Sequence, residues 1–258
     1  MNKNIKRILI ISLLFCAAAA GQITGLNSIV EKGGITRFDK NKKEIRLVFT
    51  GHHFADGGAL INETLKKNGI KASFFLTGDF YRNPDFARII IELRKAGNYL
   101  GSHSDRHILY VDRGNPDSVI ITKEEFLYDL ENSYKELASF GVTRQDAHFF
   151  LPPFELYNGR IAGWVKEAGF TLVNYTPGTL SNQDYSVPEM GSGYINSRKI
   201  FENIIEYEKN SDCGLNGFIL LMHIGTEPGR TDKFYYKLDS LIAGLKEKGY
   251  IFKTINEN

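Results

Sequence analysis

Short β-branched or aromatic runs alternate with helical runs along almost the whole of this chain, and that alternation limits the fold more than any other feature. Ile45 to Thr50, Ala72 to Thr77, His148 to Leu151, Thr171 to Asn174, Gly217 to Met222 and Tyr250 to Thr254 read as strands. Another short apolar run, Asn98 to Leu100, precedes a histidine-rich loop. Helical periodicity fills the intervals: Gly58 to Lys67, Asn83 to Gly97, Thr122 to Phe140, Gly159 to Ala168, Ser197 to Lys209 and Asp232 to Lys248. Parallel strands need crossovers of this length, whereas antiparallel ones do not. The expectation is one α/β domain with about seven parallel strands, the sheet open or closed into a barrel. With 258 residues, 42% of them hydrophobic, the chain can bury one sizeable core, and no linker or internal repeat divides it.

Local signals place several boundaries. Asn83-Pro84 is a helix start, with Asn83 as N-cap and Phe86, Ile89, Ile90 and Leu93 facing inward. Thr122 and Glu125 have capping-box spacing, and Leu127, Leu130, Tyr134 and Leu137 follow at helical intervals. Residues 22–44 form a polar, glycine-broken lead-in with one short strand at Ile35 to Phe38, and the domain proper runs over 45–258. Residues 1–21 resemble an export signal: Lys3, Lys6 and Arg7, then an apolar stretch too short to span a bilayer, then Ala18-Ala19-Ala20-Gly21. An exported chain, periplasmic or extracellular, is therefore expected. Anchoring as a lipoprotein through Cys16 is the less favoured route, because Phe15 is bulky where a small residue is usual. Without Cys16, Cys213 is the only cysteine and no intrachain disulfide can form. Removing the segment takes the net charge from +2 to about −1, which suggests neither nucleic acid nor an anionic membrane as partner, and nothing implies a protein partner.

The six histidines, at 52, 53, 103, 107, 148 and 223, lie at or near the ends of the strand-like runs. His103 and His107 share a face if their segment makes a helical turn, and could then grip one metal ion. A lone H-x-x-x-H is a weak pattern, and a single strand-end histidine such as His148 is more often structural. Asp56, in Phe54-Ala55-Asp56-Gly57-Gly58, could point a carboxylate into a pocket or merely cap the next helix. Two further clusters, Phe150-Leu151-Pro152-Pro153-Phe154-Glu155 and Leu221-Met222-His223, also follow strands. The polar clusters fall after the C-terminal strand ends, where both α/β architectures carry their sites.

In this order the clusters resemble the NodB-homology polysaccharide deacetylases, carbohydrate esterase family 4, from about Arg46 to Ile255. His103-Ser104-Asp105-Arg106-His107 matches that family's H-[ST]-x-x-H motif, and Leu221-Met222-His223 matches its L-x-H motif. Lys71 to Gly78 looks like its second strand. The resemblance implies a distorted (β/α) barrel and a divalent metal, usually zinc, held by one aspartate and two histidines, here Asp56, His103 and His107. It also implies a general acid, His223, and an oxyanion-binding backbone N–H near Phe154. The implied substrate is an N- or O-acetylated carbohydrate, attacked by metal-activated water.

Three positions depart from the family pattern. The family's general-base aspartate aligns with Ala55 if Asp56 is kept as ligand. A gapless match of the strand instead puts the aspartate pair on Gly51-His52. No arginine precedes Pro152, where Leu151 stands, and the aspartate-containing fourth motif is unrecognisable in Tyr175 to Tyr185. An arginine without its carboxylates would be a buried unpaired charge, so joint loss is coherent. His52 could be a ligand or the replaced base, and His53 and Glu155 are also available as the base. A non-catalytic glycan-binding protein on the same fold is the competing expectation.

Overall fold

A computed structural model describes residues 27–257. The chain opens with a two-stranded antiparallel ribbon, β1 (Ile29–Glu31) and β2 (Gly34–Arg37). Lys32 and Gly33 make its turn with φ of 47° and 89°, the pair of left-handed residues that a tight hairpin favours. The lead-in thus holds two strands, one more than its sequence suggested. The proposed export segment and Cys16 lie outside the described residues.

Seven parallel strands follow: β3 (Glu44–Gly51), β4 (Ser73–Leu76), β5 (Tyr99–Ser102), β6 (Phe149–Phe150), β7 (Thr171–Leu172), β8 (Phe218–His223) and β9 (Ile251–Phe252). Their order is β7-β6-β5-β4-β3-β8, with β9 beside the first residues of β3. Every residue of β3 after Glu44 is buried, as in a strand covered on both faces. β2 spans the opening between β7 and β8. Ile35 bridges Val173, Asn174 N–H donates to Ile35 O at 2.8 Å, and Phe38 N–H donates to Gly217 O at 2.8 Å. Gly217, at φ 66°, permits this approach, since a Cβ there would lie 2.5 Å from Phe38 O. The result is the expected distorted (β/α) barrel in a single domain.

Among the described residues seven helices pack outside: α1 (Gly58–Lys67), α2 (Gly78–Arg82), α3 (Ala87–Lys95), α4 (Lys123–Ser139), α5 (Gly159–Glu167), α6 (Ser197–Asn210) and α7 (Leu238–Glu247). Asn83 caps a 3-10 turn, Pro84–Phe86, before α3 begins. The Thr122/Glu125 capping box is closed in both directions. On α4 the buried stripe is Phe126, Leu130, Tyr134 and Leu137, with Leu127 only half-buried. α2 is too short to show periodicity in sequence. The segment before α7 is a separate 3-10 turn, Phe234–Lys237, rather than part of one long helix.

The core is aromatic. Phe49, Phe74, Phe149, Phe150 and Phe218 are each 1% exposed or less, and each such burial contributes roughly 1.5–3 kcal/mol. Strand register then sets the site. Gly51 pairs with Leu76, Leu76 with Ser102, Ser102 with Phe150, and Phe150 with Leu172. On the other side of β3, Thr50 pairs with His223. The C-terminal strand ends are therefore level, and the loops that leave them meet on one rim.

Candidate functional site

The first loop on that rim carries His103 and His107. α4 holds it from outside: one oxygen of Asp129 accepts from Asp105 N–H at 3.0 Å and Tyr110 O–H at 2.6 Å, the other from Arg106 N–H at 3.3 Å. Ser102 and Ser133 hydroxyls meet at 2.7 Å, and Ser104 Oγ accepts from His107 N–H at 3.0 Å. Arg82 of α2 pairs with Asp105 at 2.6 Å. Only a glycine fits at the start of α2, because a Cβ at Gly78 would lie 2.0 Å from Asp105 Oδ1. The segment is not the helical turn that the i, i+4 spacing suggested. Ser104 and His107 are left-handed, with φ of 72° and 56°, and this loop path brings the two Nε2 atoms to 3.2 Å.

The protonation of this pair follows from its surroundings. His103 is 2% exposed, and its Nδ1 lies 2.9 Å from Leu151 O. A carbonyl only accepts, so Nδ1 carries the proton and the Nε2 lone pair faces His107. Burial pushes the His103 pKa down to about 3 and the His107 pKa down to about 2, so both rings are neutral at ordinary pH. Two nitrogen ligands about 2.0–2.1 Å from one tetrahedral zinc would stand roughly 3.3 Å apart. The donor chemistry and spacing of the pair therefore fit a divalent metal.

His52 stands beside them, its ring centroid 5.0 Å from that of His107. Its Nδ1 meets Thr77 Oγ1 at 3.0 Å, which leaves Nε2 as the uncommitted nitrogen. Burial, and then the neighbouring His53, lower its pKa. His53 itself is exposed. Asp56 is not brought to this cluster. Its Oδ1 accepts from Thr226 N–H at 2.8 Å, and its Oδ2 accepts from Tyr235 O–H at 2.8 Å and pairs with Lys233 at 3.0 Å. Burial would raise its pKa, but the hydrogen bonds from Tyr235, Lys233 and Thr226 outweigh it and the net shift is downward. The residue faces an open groove of about 1070 Å³ shared with His53, Phe54 and Phe86. Among the described residues, no three His, Cys, Asp or Glu side chains converge as a finished metal cage. Two imidazoles meet and His52 flanks them, while Asp56 is bonded elsewhere, so the structure does not bring Asp56, His103 and His107 together as a trio.

The turn after β6 forms the next wall. Pro152 and Pro153 stiffen it, and Phe154 and Glu155 follow with φ of 58° and 57°. Two consecutive left-handed non-glycine residues cost about 1–3 kcal/mol each, and such strain is typically held at functional sites. The Phe154 ring packs 4.2 Å from that of His107, with Arg113 over it at 4.4 Å. Glu155 Oε1 lies 3.9 Å from His103 Nε2. Burial pushes the Glu155 pKa up to about 7. Leu151, in the place of the family's arginine, is fully buried.

His223 closes the site from β8. Asp184 Oδ1 meets its Nδ1 at 2.6 Å, and Asp184 Oδ2 accepts its backbone N–H at 2.9 Å. Burial alone would lower the His223 pKa, but the charge and hydrogen bond of Asp184 outweigh it and the net shift is upward. Asp184 is the residue that sequence reasoning missed, although it lies within the stretch searched for the fourth motif. It is the only acidic residue between Tyr175 and Tyr185, which was the available signal. Buried Arg230 steadies its loop by donating to Ser186 O at 2.5 Å and Ile195 O at 3.0 Å. His148 precedes β6, at the other end of the strands, and its ring packs at a tilt against Phe149.

Residues 39–173, just over half of the chain, match the Polysaccharide deacetylase family. Peptidoglycan-N-acetylmuramic acid deacetylase PdaA of Bacillus subtilis is 24% identical, over 90% of this chain and 78% of its own. A peptidoglycan-N-acetylglucosamine deacetylase of Bacillus cereus is 24% identical, over 83% of this chain and 68% of its own. In fold, the chain is similar to a family 4 carbohydrate esterase pseudoenzyme from Bacillus anthracis, with a TM-score of 0.67 and 20% identity, over 88% of this chain and 68% of that one. By fold, by motif order and by the extent of the family match, this chain belongs to the polysaccharide deacetylase family.

Proposed function

We propose that this chain is a metal-dependent deacetylase of an N- or O-acetylated carbohydrate. The observation that carries the reading is the pair of neutral imidazoles with Nε2 atoms 3.2 Å apart, on the same rim as a histidine held by a buried aspartate. The relatives named for peptidoglycan make its acetylated amino sugars the first substrates to test.

The ion, zinc in the first instance, would be held by Nε2 of His103 and His107, with His52 as third ligand in place of Asp56. When bound it supplies a Lewis acid that polarises the acetyl carbonyl and eases deprotonation of water. The protein groups do the rest. Phe154 N–H serves as oxyanion donor, since the neighbouring Glu155 N–H is spent on Pro152 O. His223, whose protonated form the Asp184 carboxylate favours, donates from Nε2 to the departing nitrogen or oxygen. Its Nδ1 proton stays on the hydrogen bond to Asp184, so the ring ends neutral and correctly oriented.

A second reading has its own support: Gly51 and Ala55 offer no carboxylate at the usual base position, and one structural neighbour is a pseudoenzyme. Acetate release from peptidoglycan and from N-acetylglucosamine oligomers, with zinc and with chelator, separates the two. Release that stops on chelation supports the deacetylase. Glycan binding by zinc-loaded protein without release above background would establish a binding protein. Export through residues 1–21 belongs to the same proposal, since peptidoglycan lies outside the cytoplasm. N-terminal sequencing of cell-fractionated protein tests it, and an intact Met1 in exported material would reject it.

A further inference from the structure

We infer that Glu155 is the general base of the reaction, the carboxylate that stands in for the aspartate absent at the end of β3. The inference rests on the deacetylase reading above. The other carboxylates around the rim are already engaged. Asp184 is committed to His223, Asp129 to the backbone of the histidine loop, Asp105 and Asp79 to Arg82, and Asp56 to Lys233, Tyr235 and Thr226. The Glu155 carboxylate accepts no hydrogen bond from the described residues. It is only 14% exposed, yet its Oε1 lies 3.9 Å from His103 Nε2. A half-buried carboxylate without a protein donor is left free to take a hydrogen bond from water. His103 Nε2 is the proposed ligand atom, so Oε1 stands within reach of a water that enters beside the histidine pair.

The backbone around it is braced while the carboxylate is left alone. Glu155 N–H donates to Pro152 O at 3.1 Å, and Asn174 at the end of β7 donates from Nδ2 to Glu155 O at 2.8 Å. The two left-handed residues and the preceding prolines then fix the direction of the side chain. The alternatives are less well placed. His52 is tied through Nδ1 to Thr77 and stacked beside His107, which suits a ligand, and His53 is exposed. The exchange also accounts for Leu151: a base with no hydrogen-bond donor needs no arginine beside it.

The step balances without another reagent. As the water oxygen bonds to the acetyl carbon, one of its O–H bonds breaks and the proton passes to Glu155. The carbon–nitrogen or carbon–oxygen bond then breaks as His223 protonates the leaving atom, and acetic acid departs. The proton on Glu155 returns to His223 directly or through solvent.

The test uses the full chain loaded with zinc, with the N-acetylglucosamine pentamer and peptidoglycan as probes. Glu155→Gln keeps the shape and removes the base. Its zinc content and KM should match wild type within about threefold, while kcat falls on the order of 100- to 10,000-fold. Glu155→Asp, which keeps the charge at a shorter reach, should recover part of that loss. A kcat for Glu155→Gln within tenfold of wild type would overturn the assignment. Loss of zinc from folded Glu155→Gln would also overturn it, by making the residue a ligand. Should Glu155→Gln not fold, a Glu155→Asp variant no faster than Glu155→Ala decides against it. Wild type that releases no acetate from either probe at any metal load removes the deacetylase reading and this inference together.

Discussion

Asp184 holds His223 at two points, taking its backbone N–H on one carboxylate oxygen at 2.9 Å and its Nδ1 on the other at 2.6 Å. The double contact sets both the ring's tautomer and the position of the strand end that carries it. Asp184→Asn keeps the shape but loses the charge that stabilises imidazolium. Turnover should fall about 10- to 100-fold, with zinc content unchanged. Steady-state kinetics with elemental analysis checks this, and a variant as fast as wild type would mean that the pair is structural.

The same pair makes a pH-dependent contribution to stability. The folded His223 pKa lies above the ordinary value of 6.5. Folding therefore favours the protonated ring, and the stability gained is complete below about pH 6.5 and lost as pH rises through the folded pKa. Denaturation midpoints should show wild type ahead of Asp184→Asn at about pH 6, with the gap narrowing toward pH 9. A gap that widens with pH would contradict the sign.

Metal content separates the two candidate third ligands. On the proposed ligand set, His103→Ala and His107→Ala should each abolish metal binding, since each removes one of three proposed ligands. His52→Ala should lose most of it, whereas Asp56→Ala should keep it, because Asp56 is bonded to Lys233, Tyr235 and Thr226. The reverse result for His52 and Asp56 would restore the family's ligand set.

Asp129 gives a test of how the histidine loop is held. Its carboxylate accepts from Asp105 N–H, Arg106 N–H and Tyr110 O–H. Asp129→Ala leaves buried donors unpaired, at a cost of about 1–3 kcal/mol each before relaxation. Thermal unfolding of the metal-free protein should drop by several degrees, and zinc affinity should weaken although no proposed ligand has changed. Unchanged affinity would mean that the loop holds its shape without α4.

The parts of the structure that were legible in the sequence are local. The alternation from Ile45 to Thr254 announces parallel βα units, because side-chain period and crossover length belong to each segment separately. Asn83, Thr122 and Glu125 mark helix starts through bonds made within three residues. His103 and His107 are named by their spacing, and His223 by its place after a buried run. Tertiary structure decided everything that depends on partners distant in sequence. Asp184 and His223 are 39 positions apart, and Asp56 meets Thr226 and Tyr235 across 170 and 179 positions. Sequence spacing carries no trace of those encounters, which arise only when strand register levels the rim. The histidine spacing itself was met by a loop, because Asp129, Ser133 and Gly78 come from elements that pack on it from outside. Which carboxylate serves the site is decided in the same way: a side chain's chemistry is written in its own residue, but its availability is set by the neighbours that folding supplies.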